Sequence, residues 1–183
     1  MLNREELFKA IGLKPSQHNI LVAYHAATRE PNPVTACATM LHALRDLKDA
    51  SFLVLGTNAD TGSPQIAESF AEFCAGLGDH AIWRGNLSPD LYYGALAHFD
   101  CMVGNSSAGL IETATFGIPV VNIGDRQTGR IAPRNVRTYA ATRSAIGHGI
   151  ELALALPRDP QPNPYGDGHS APRIAKIITE WKA

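Results

Sequence analysis

The segment Gly104-Asn105-Ser106-Ser107-Ala108-Gly109 sets small and hydroxyl residues between an apolar run and a helix-period stretch that carries Glu112. Small residues let a ligand approach the backbone closely, Ser hydroxyls and main-chain N–H groups donate, and a helix start favours negative charge. Such a segment suits a phosphate, although a strand-to-helix turn capped by Asn or Ser accounts for the same residues. It is not a dinucleotide fingerprint, because GxGxxG is absent, and not a P-loop, because no Gly-Lys-Ser/Thr follows. Glu112 stands where a carboxylate can accept both hydroxyls of a ribose, or simply complement the helix dipole.

Further on, Gly124-Asp125-Arg126-Gln127-Thr128-Gly129-Arg130 places two arginines on one Gly-flanked loop. Guanidinium matches phosphate oxygens two at a time, so Arg126 and Arg130 suit a diphosphate; a solvated basic loop is the alternative. His25 closes an apolar run in Tyr24–Glu30 and is a candidate acid, base or charge stabiliser, or else a structural strand-end histidine. Tyr92, beside Tyr93, opens the helix before the Ser-rich segment and can stack a base or pack on a sheet. Cys37, Cys74 and Cys101 have no metal-ligand spacing and each lies in an apolar run, which reads as buried small hydrophobes.

The elements that must position these groups alternate. Apolar, β-branched runs at Ile20–Tyr24, Ser51–Leu55, His80–Arg84, Cys101–Gly104, Pro119–Ile123 and, more weakly, Asn135–Tyr139 predict strands. Helix-period stretches at Val34–Leu47, Pro64–Leu77, Pro89–His98, Ala108–Phe116, Arg143–Leu156 and Ala171–Trp181 separate or follow them. Met1–Leu13 reads as a leading amphipathic helix. The alternation predicts an α/β fold, a Rossmann-like parallel sheet with helices on both faces, because the strands are apolar nearly throughout. The whole of 1–183 then forms one domain: leading helix and linker over 1–18, sheet core over 19–156, and loop with terminal helix over 157–183. In an open sheet of this kind ligands bind beyond the carboxyl ends of the strands, and every candidate above except Tyr92 follows such an end.

With 16 Lys+Arg against 17 Asp+Glu, the chain has no global charge to attract nucleic acid or an anionic membrane, so any anion site is local. No apolar run approaches the ~20 residues of a membrane span, and a cytoplasmic location is expected. Charged residues make up 18% of the chain, below the roughly 25% usual for globular proteins. That leaves more apolar surface than one small domain needs.

The segments Ile20–Glu30, Asn58–Asp60, Tyr92–Arg130 with its GNSSAGLIETATFGIPVVNIGDRQTGR stretch, and NPYGDG at Asn163–Gly168 followed by Pro172-Arg173-Ile174 together resemble the carboxyl-terminal half of the UDP-N-acetylglucosamine 2-epimerases. The Asn-Ser-Ser and Gly-Asp-Arg-Gln forms resemble the hydrolysing branch, which makes N-acetylmannosamine or a related sugar. The resemblance implies the carboxyl-terminal domain of a B-type glycosyltransferase fold and binding of UDP or UDP-N-acetylglucosamine with no other cofactor and no metal. It implies that Ser106 and Ser107 hold the diphosphate, Glu112 the ribose, Tyr92 the uracil, Arg126 and Arg130 the phosphates, with His25 in the cleft beside the reacting sugar. Two positions depart from the family pattern: Ala26 stands where hydrolysing relatives usually have Pro, and Arg134 where they carry an acid. The implied reaction eliminates UDP to a glycal and then adds water. The carboxylates that move the C2 proton belong to an amino-terminal half, so a missing amino-terminal domain or partner chain is expected, and a homo-oligomer is possible. A UDP-sugar glycosyltransferase domain and a non-catalytic nucleotide-sugar-binding module are the competing readings.

Overall fold

The computed structural model describes residues 2–27 and 32–181; Thr28, Arg29 and Glu30, part of the segment after the first predicted strand, lie outside the described residues, as does Met1. Six strands form one sheet: β1 (His18–Ala23), β2 (Ala50–Leu55), β3 (Ala81–Arg84), β4 (Cys101–Gly104), β5 (Val120–Ile123) and β6 (Val136–Tyr139). All pairs are parallel and the order is β3-β2-β1-β4-β5-β6. The chain winds outward from β1 to β3, then starts again at β4 on the other side. The carboxyl ends of β1 and β4 therefore flank the switch point, where the two halves of the sheet part and leave a crevice.

Alternation along the strands supplies two cores. Ile20, Val22, Phe52, Val54, Val103 and Val121 face the layer of α2 (Pro33–Arg45), α3 (Ser63–Ala75) and α7 (Arg143–Ala155). Leu21, Leu53, Met102 and Val120 face α1 (Arg4–Ile11) and α4 (Pro89–His98). Cys37, Cys74 and Cys101 are buried and free, and burial raises their thiols, to about 12 at Cys37 and about 11 at Cys74.

Most expected boundaries move by a residue or two. His80 is not in β3; it closes a short 3-10 turn, where its Nδ1 meets the hydroxyls of Ser16 and Ser51 at 2.9 and 3.1 Å. Tyr24 lies just past β1, and Pro119 just before β5. The single helix expected over Ala108–Phe116 is two pieces, α5 (Ala108–Ile111) and α6 (Thr113–Phe116), broken at Glu112, whose φ of −111° leaves the helical range.

The last helix, α8 (Ser170–Glu180), has no buried residue. Ile174, Ile177 and Ile178 are 56–68% exposed, and Arg134, the departure noted above, instead pairs with Asp159 in the loop before it. Much of the surplus apolar surface anticipated from composition lies on this helix. Removing residues 170–183 is therefore expected to shift the thermal midpoint by less than about 2 °C, since truncating an unpacked surface element changes stability by roughly 0.5 kcal/mol or less. A fall beyond about 5 °C in a melting experiment would show that α8 carries core energy. Among the described residues no helix is long and apolar enough to cross a membrane.

Candidate functional site

Gly104 decides how the Ser-rich segment leaves β4. Its φ is +144°, and a Cβ there would lie 2.0 Å from the carbonyl oxygen of Ala23, so only glycine lets the chain fold back over the end of β1. The fold-back has a consequence that sequence reasoning missed. The N–H groups of Asn105 and Ser106 both donate to Ala23 O, at 3.1 and 3.2 Å, and so are not free for a ligand. The helix that follows has only four residues, so its dipole is short as well. Few main-chain donors of this segment are left for a ligand, and its side chains, Ser106 and Ser107 first, carry most of the remaining donor capacity.

Asn105, 2% exposed, clamps the histidine main chain at two points. Its Oδ1 accepts from His25 N at 2.8 Å and its Nδ2 donates to His25 O at 2.9 Å. This sets the imidazole beside Ser106, Nε2 to Oγ 3.2 Å. Burial lowers the His25 pKa, Arg126 lowers it further, and Asp60 opposes them. The net effect favours the neutral ring.

The loop after β5 hangs on the same residue. Arg126 Nη1 and the buried Gln127 Nε2 both donate to Asn105 O, at 3.1 and 2.7 Å. One asparagine thus ties together the ends of β1, β4 and β5. Beside it lies a cavity of about 480 Å³ with donors from Ser107, Thr128, Arg126 and Arg130 and carboxylates from Asp60 and Asp125. Two carboxylates formally balance the two arginines. Selection of an anion then rests on the planar, two-toothed geometry of guanidinium rather than on net charge. Gln127 Oε1 is buried without a hydrogen-bond partner.

Tyr92 and Glu112 meet at a second locus, between α4 and the α5–α6 break. Tyr92 Oη and Glu112 Oε2 are both buried and neither makes a hydrogen bond of good geometry. Burial first, then the Glu112 carboxylate, pushes the phenol pKa up. The Tyr92 ring packs against the core layer of α1 and α4. The break that frees Glu112 is held from behind: Asn163 of the NPYGDG segment donates to Ile111 O at 2.7 Å, and Tyr165 Oη donates to Ile131 O, next to Arg130, at 2.7 Å. A motif that reads as a bare turn in the sequence braces the α5–α6 break and the loop after β5.

Sheet order and cavity together define a Rossmann-like α/β domain with an arginine-lined, polar pocket at its switch point. The sequence profile of the UDP-N-acetylglucosamine 2-epimerase family matches residues 2–179, and the chain belongs to that family. It is 30% identical over 177 residues to the UDP-N,N'-diacetylbacillosamine 2-epimerase (hydrolyzing) of Legionella pneumophila, an alignment covering 96% of this chain and 46% of that protein. It is 34% identical over 136 residues to the GDP/UDP-N,N'-diacetylbacillosamine 2-epimerase (hydrolyzing) of Campylobacter jejuni, covering 74% of this chain and 35% of that protein. The Methanocaldococcus jannaschii UDP-GlcNAc 2-epimerase, solved with UDP-GlcNAc and UDP, shares the fold with a TM-score of 0.68 at 13% identity, over 98% of this chain and 49% of that one. The C-terminal domain of a group 1 glycosyl transferase from Francisella tularensis shares it with a TM-score of 0.53 at 13% identity, over 100% of this chain and 94% of that one. The chain spans about half the length of the Legionella protein.

Proposed function

We propose that this chain is the UDP-holding domain of a hydrolysing UDP-sugar 2-epimerase, acting in the cytoplasm on UDP-N-acetylglucosamine or a related 2-acetamido sugar. What supports the reading most is the cavity at the switch point, where Arg126, Arg130 and Ser107 converge beside the His25–Ser106 pair. The Legionella and Campylobacter relatives are named as hydrolyzing 2-epimerases, and a third relative, 31% identical over 154 residues, is an Escherichia coli polysialic acid biosynthesis protein. In this reading Arg126, Arg130 and the hydroxyls of Ser106 and Ser107 hold the diphosphate. Glu112 takes the ribose hydroxyls, and Tyr92, beside it, lies against the base. These donors stabilise the charge that grows on UDP as the C1–O bond breaks. Removal of the C2 proton belongs to an amino-terminal half, so the chain alone is expected to bind nucleotide and turn nothing over.

Titration calorimetry with UDP tests this. Binding is expected in the high micromolar to millimolar range and is expected to disappear in a Ser106→Ala/Glu112→Ala double variant. No heat at millimolar UDP, or unchanged binding by the double variant, would remove the site assignment. Co-expression with an amino-terminal epimerase half then separates release of free sugar from transfer to an acceptor.

A further inference from the structure

His25 is held by a second contact, on the ring nitrogen away from Ser106. The main-chain N–H of Asn58 points at His25 Nδ1, 3.1 Å away. An amide N–H can only donate, so Nδ1 must present its lone pair. We propose that the turn Thr57–Ser63 is a tautomer lock in which Asn58 and Ser63 act as positioning residues, keeping the imidazole proton on Nε2 and making His25 a hydrogen-bond donor on the Ser106 side.

The turn is built to hold that amide still. Ser63, 4% exposed at the start of α3, donates its hydroxyl to Asn58 Oδ1 at 2.8 Å, and Thr57 Oγ1 reaches the same oxygen at 3.3 Å. The other end of the Asn58 amide donates to Ala26 O at 3.2 Å, next to the histidine, and to the Asp60 carboxylate. Ser63 N closes the turn on Asp60 O at 3.0 Å. With both ends of its side chain fixed, Asn58 cannot swing its main-chain N–H off the ring.

Protonating Nδ1 would set two donors face to face. Among the described residues, the groups facing His25 are Asn105 and Ser106 after β4, Asn58 and Asp60 between β2 and α3, and Arg126 after β5. Only Asp60 favours the cation. A neutral imidazole with its proton on Nε2 donates a hydrogen bond but cannot surrender that proton without becoming an imidazolate. The inference rests on the nucleotide-sugar reading of the cavity for its meaning: His25 would stabilise charge on the leaving diphosphate rather than deliver a proton to it.

Long-range 1H–15N NMR of the full chain reads the tautomer directly, with the His25 signals identified by their loss in His25→Gln. The expected result is a proton on Nε2 in the neutral ring. Asn58→Gly and Ser63→Ala are each expected to introduce the Nδ1–H form and to raise the His25 titration midpoint by about half a pH unit or more, while Ser63→Thr, which keeps the hydroxyl, restores the native pattern. A proton on Nδ1 in the unmodified chain, or an unmixed tautomer in both turn variants with native-like spectra, would overturn the proposal. If the variants fail to fold, the unmodified chain is read for purity: a ring entirely in the Nε2–H form supports the lock, and a ring mixed with the Nδ1–H form, as a free imidazole is, overturns it. A UDP titration of the same samples separates the two readings: absence of UDP binding with the Nε2–H tautomer intact refutes the nucleotide site alone, and UDP binding with an Nδ1–H ring refutes the lock alone.

Discussion

Replacing Arg158 by leucine is expected to lower unfolding free energy by about 3–5 kcal/mol, a drop near 10 °C in thermal midpoint for a chain of this size. Arg158 leaves α7 and enters the loop toward α8, and its half-buried guanidinium donates to three main-chain carbonyls: Leu96 at 2.9 Å, Phe116 at 3.2 Å, and Phe99. These are carbonyls in the last turns of α4 and α6 and in the turn between α4 and β4. Helix C-termini leave such oxygens without intrahelical partners, and a cation there also meets the negative end of the dipole. Leu96 and Phe99 are fully buried, so water cannot easily replace the lost donor. Burial lowers the guanidinium's own pKa and nearby Asp100 pulls it back, the pattern of a charge retained because it is hydrogen-bonded. The loop depends on the same anchor. Just beyond it, Asp159 N donates to Gly117 O, and a Cβ on Gly117 would lie 2.2 Å from Pro160 N, so chain and helix end already touch. Arg158→Lys, with fewer donors and no planar fork, should recover part of the loss. A midpoint within about 2 °C of the unmodified chain for Arg158→Leu would show that the three carbonyls find water instead.

The layered sheet was legible because its signal is local. A strand buried on both faces is apolar at every position, and Ile20–Val22, Phe52–Val54 and Cys101–Val103 say so within a few residues. Parallel pairing follows from the intervening helices, and so does the edge where a ligand binds. What escaped sequence reasoning has one cause: contacts fixed by register across the switch point. Asn105 clamps His25 across 80 residues only because β1 and β4 pair with Ala23 opposite Gly104. Nothing in the Gly104–Gly109 segment announces that the N–H groups of Asn105 and Ser106 are consumed by the end of β1, or that Asn105 rather than a serine is its keystone. The same holds for Arg158 and Asn163, whose partners lie 42 to 62 residues away on helix ends. The break at Glu112 is of another kind. The 3.6-residue period runs unbroken from Ala108 to Phe116; at the break Asn163 donates to Ile111 O from outside the helix, and Thr113 Oγ1 donates to Gly109 O from within it. The serines, Glu112 and both arginines stood out by residue type; their supports did not, because an amide or a buried arginine shows its use only once its partners are in place.

Arg126→Met is expected to weaken UDP binding by at least about 30-fold, since a charge-assisted hydrogen bond contributes roughly 1.5–3 kcal/mol and this guanidinium can offer two to a phosphate. Arg126 is the arginine to choose over Arg130 because it is fixed. Its Nη1 donates to Asn105 O at 3.1 Å, which points the rest of the fork into the cavity, whereas Arg130 is exposed. Preorganisation means less side-chain entropy is lost on binding. Methionine keeps the apolar stem, so a fold defect is not the expected cause of the loss, and Gln127 still holds Asn105 O. The same substitution carries a second readout. Arg126 is among the causes that lower the His25 pKa, so its removal should move that pKa up toward the ordinary histidine value. A histidine whose folded pKa is depressed contributes stability that is present above its unfolded value of about 6.5 and is lost as pH falls below it, because the unfolded chain then binds the extra proton. Arg126→Met should therefore flatten the loss of stability between pH 7 and 5 while it weakens nucleotide binding at pH 7. Arg126→Lys separates charge from shape: it should keep most of the His25 shift and recover only part of the affinity, because an ammonium lacks the planar fork. Less than a threefold loss of UDP affinity in Arg126→Met, measured by calorimetry at fixed ionic strength, would place the diphosphate elsewhere.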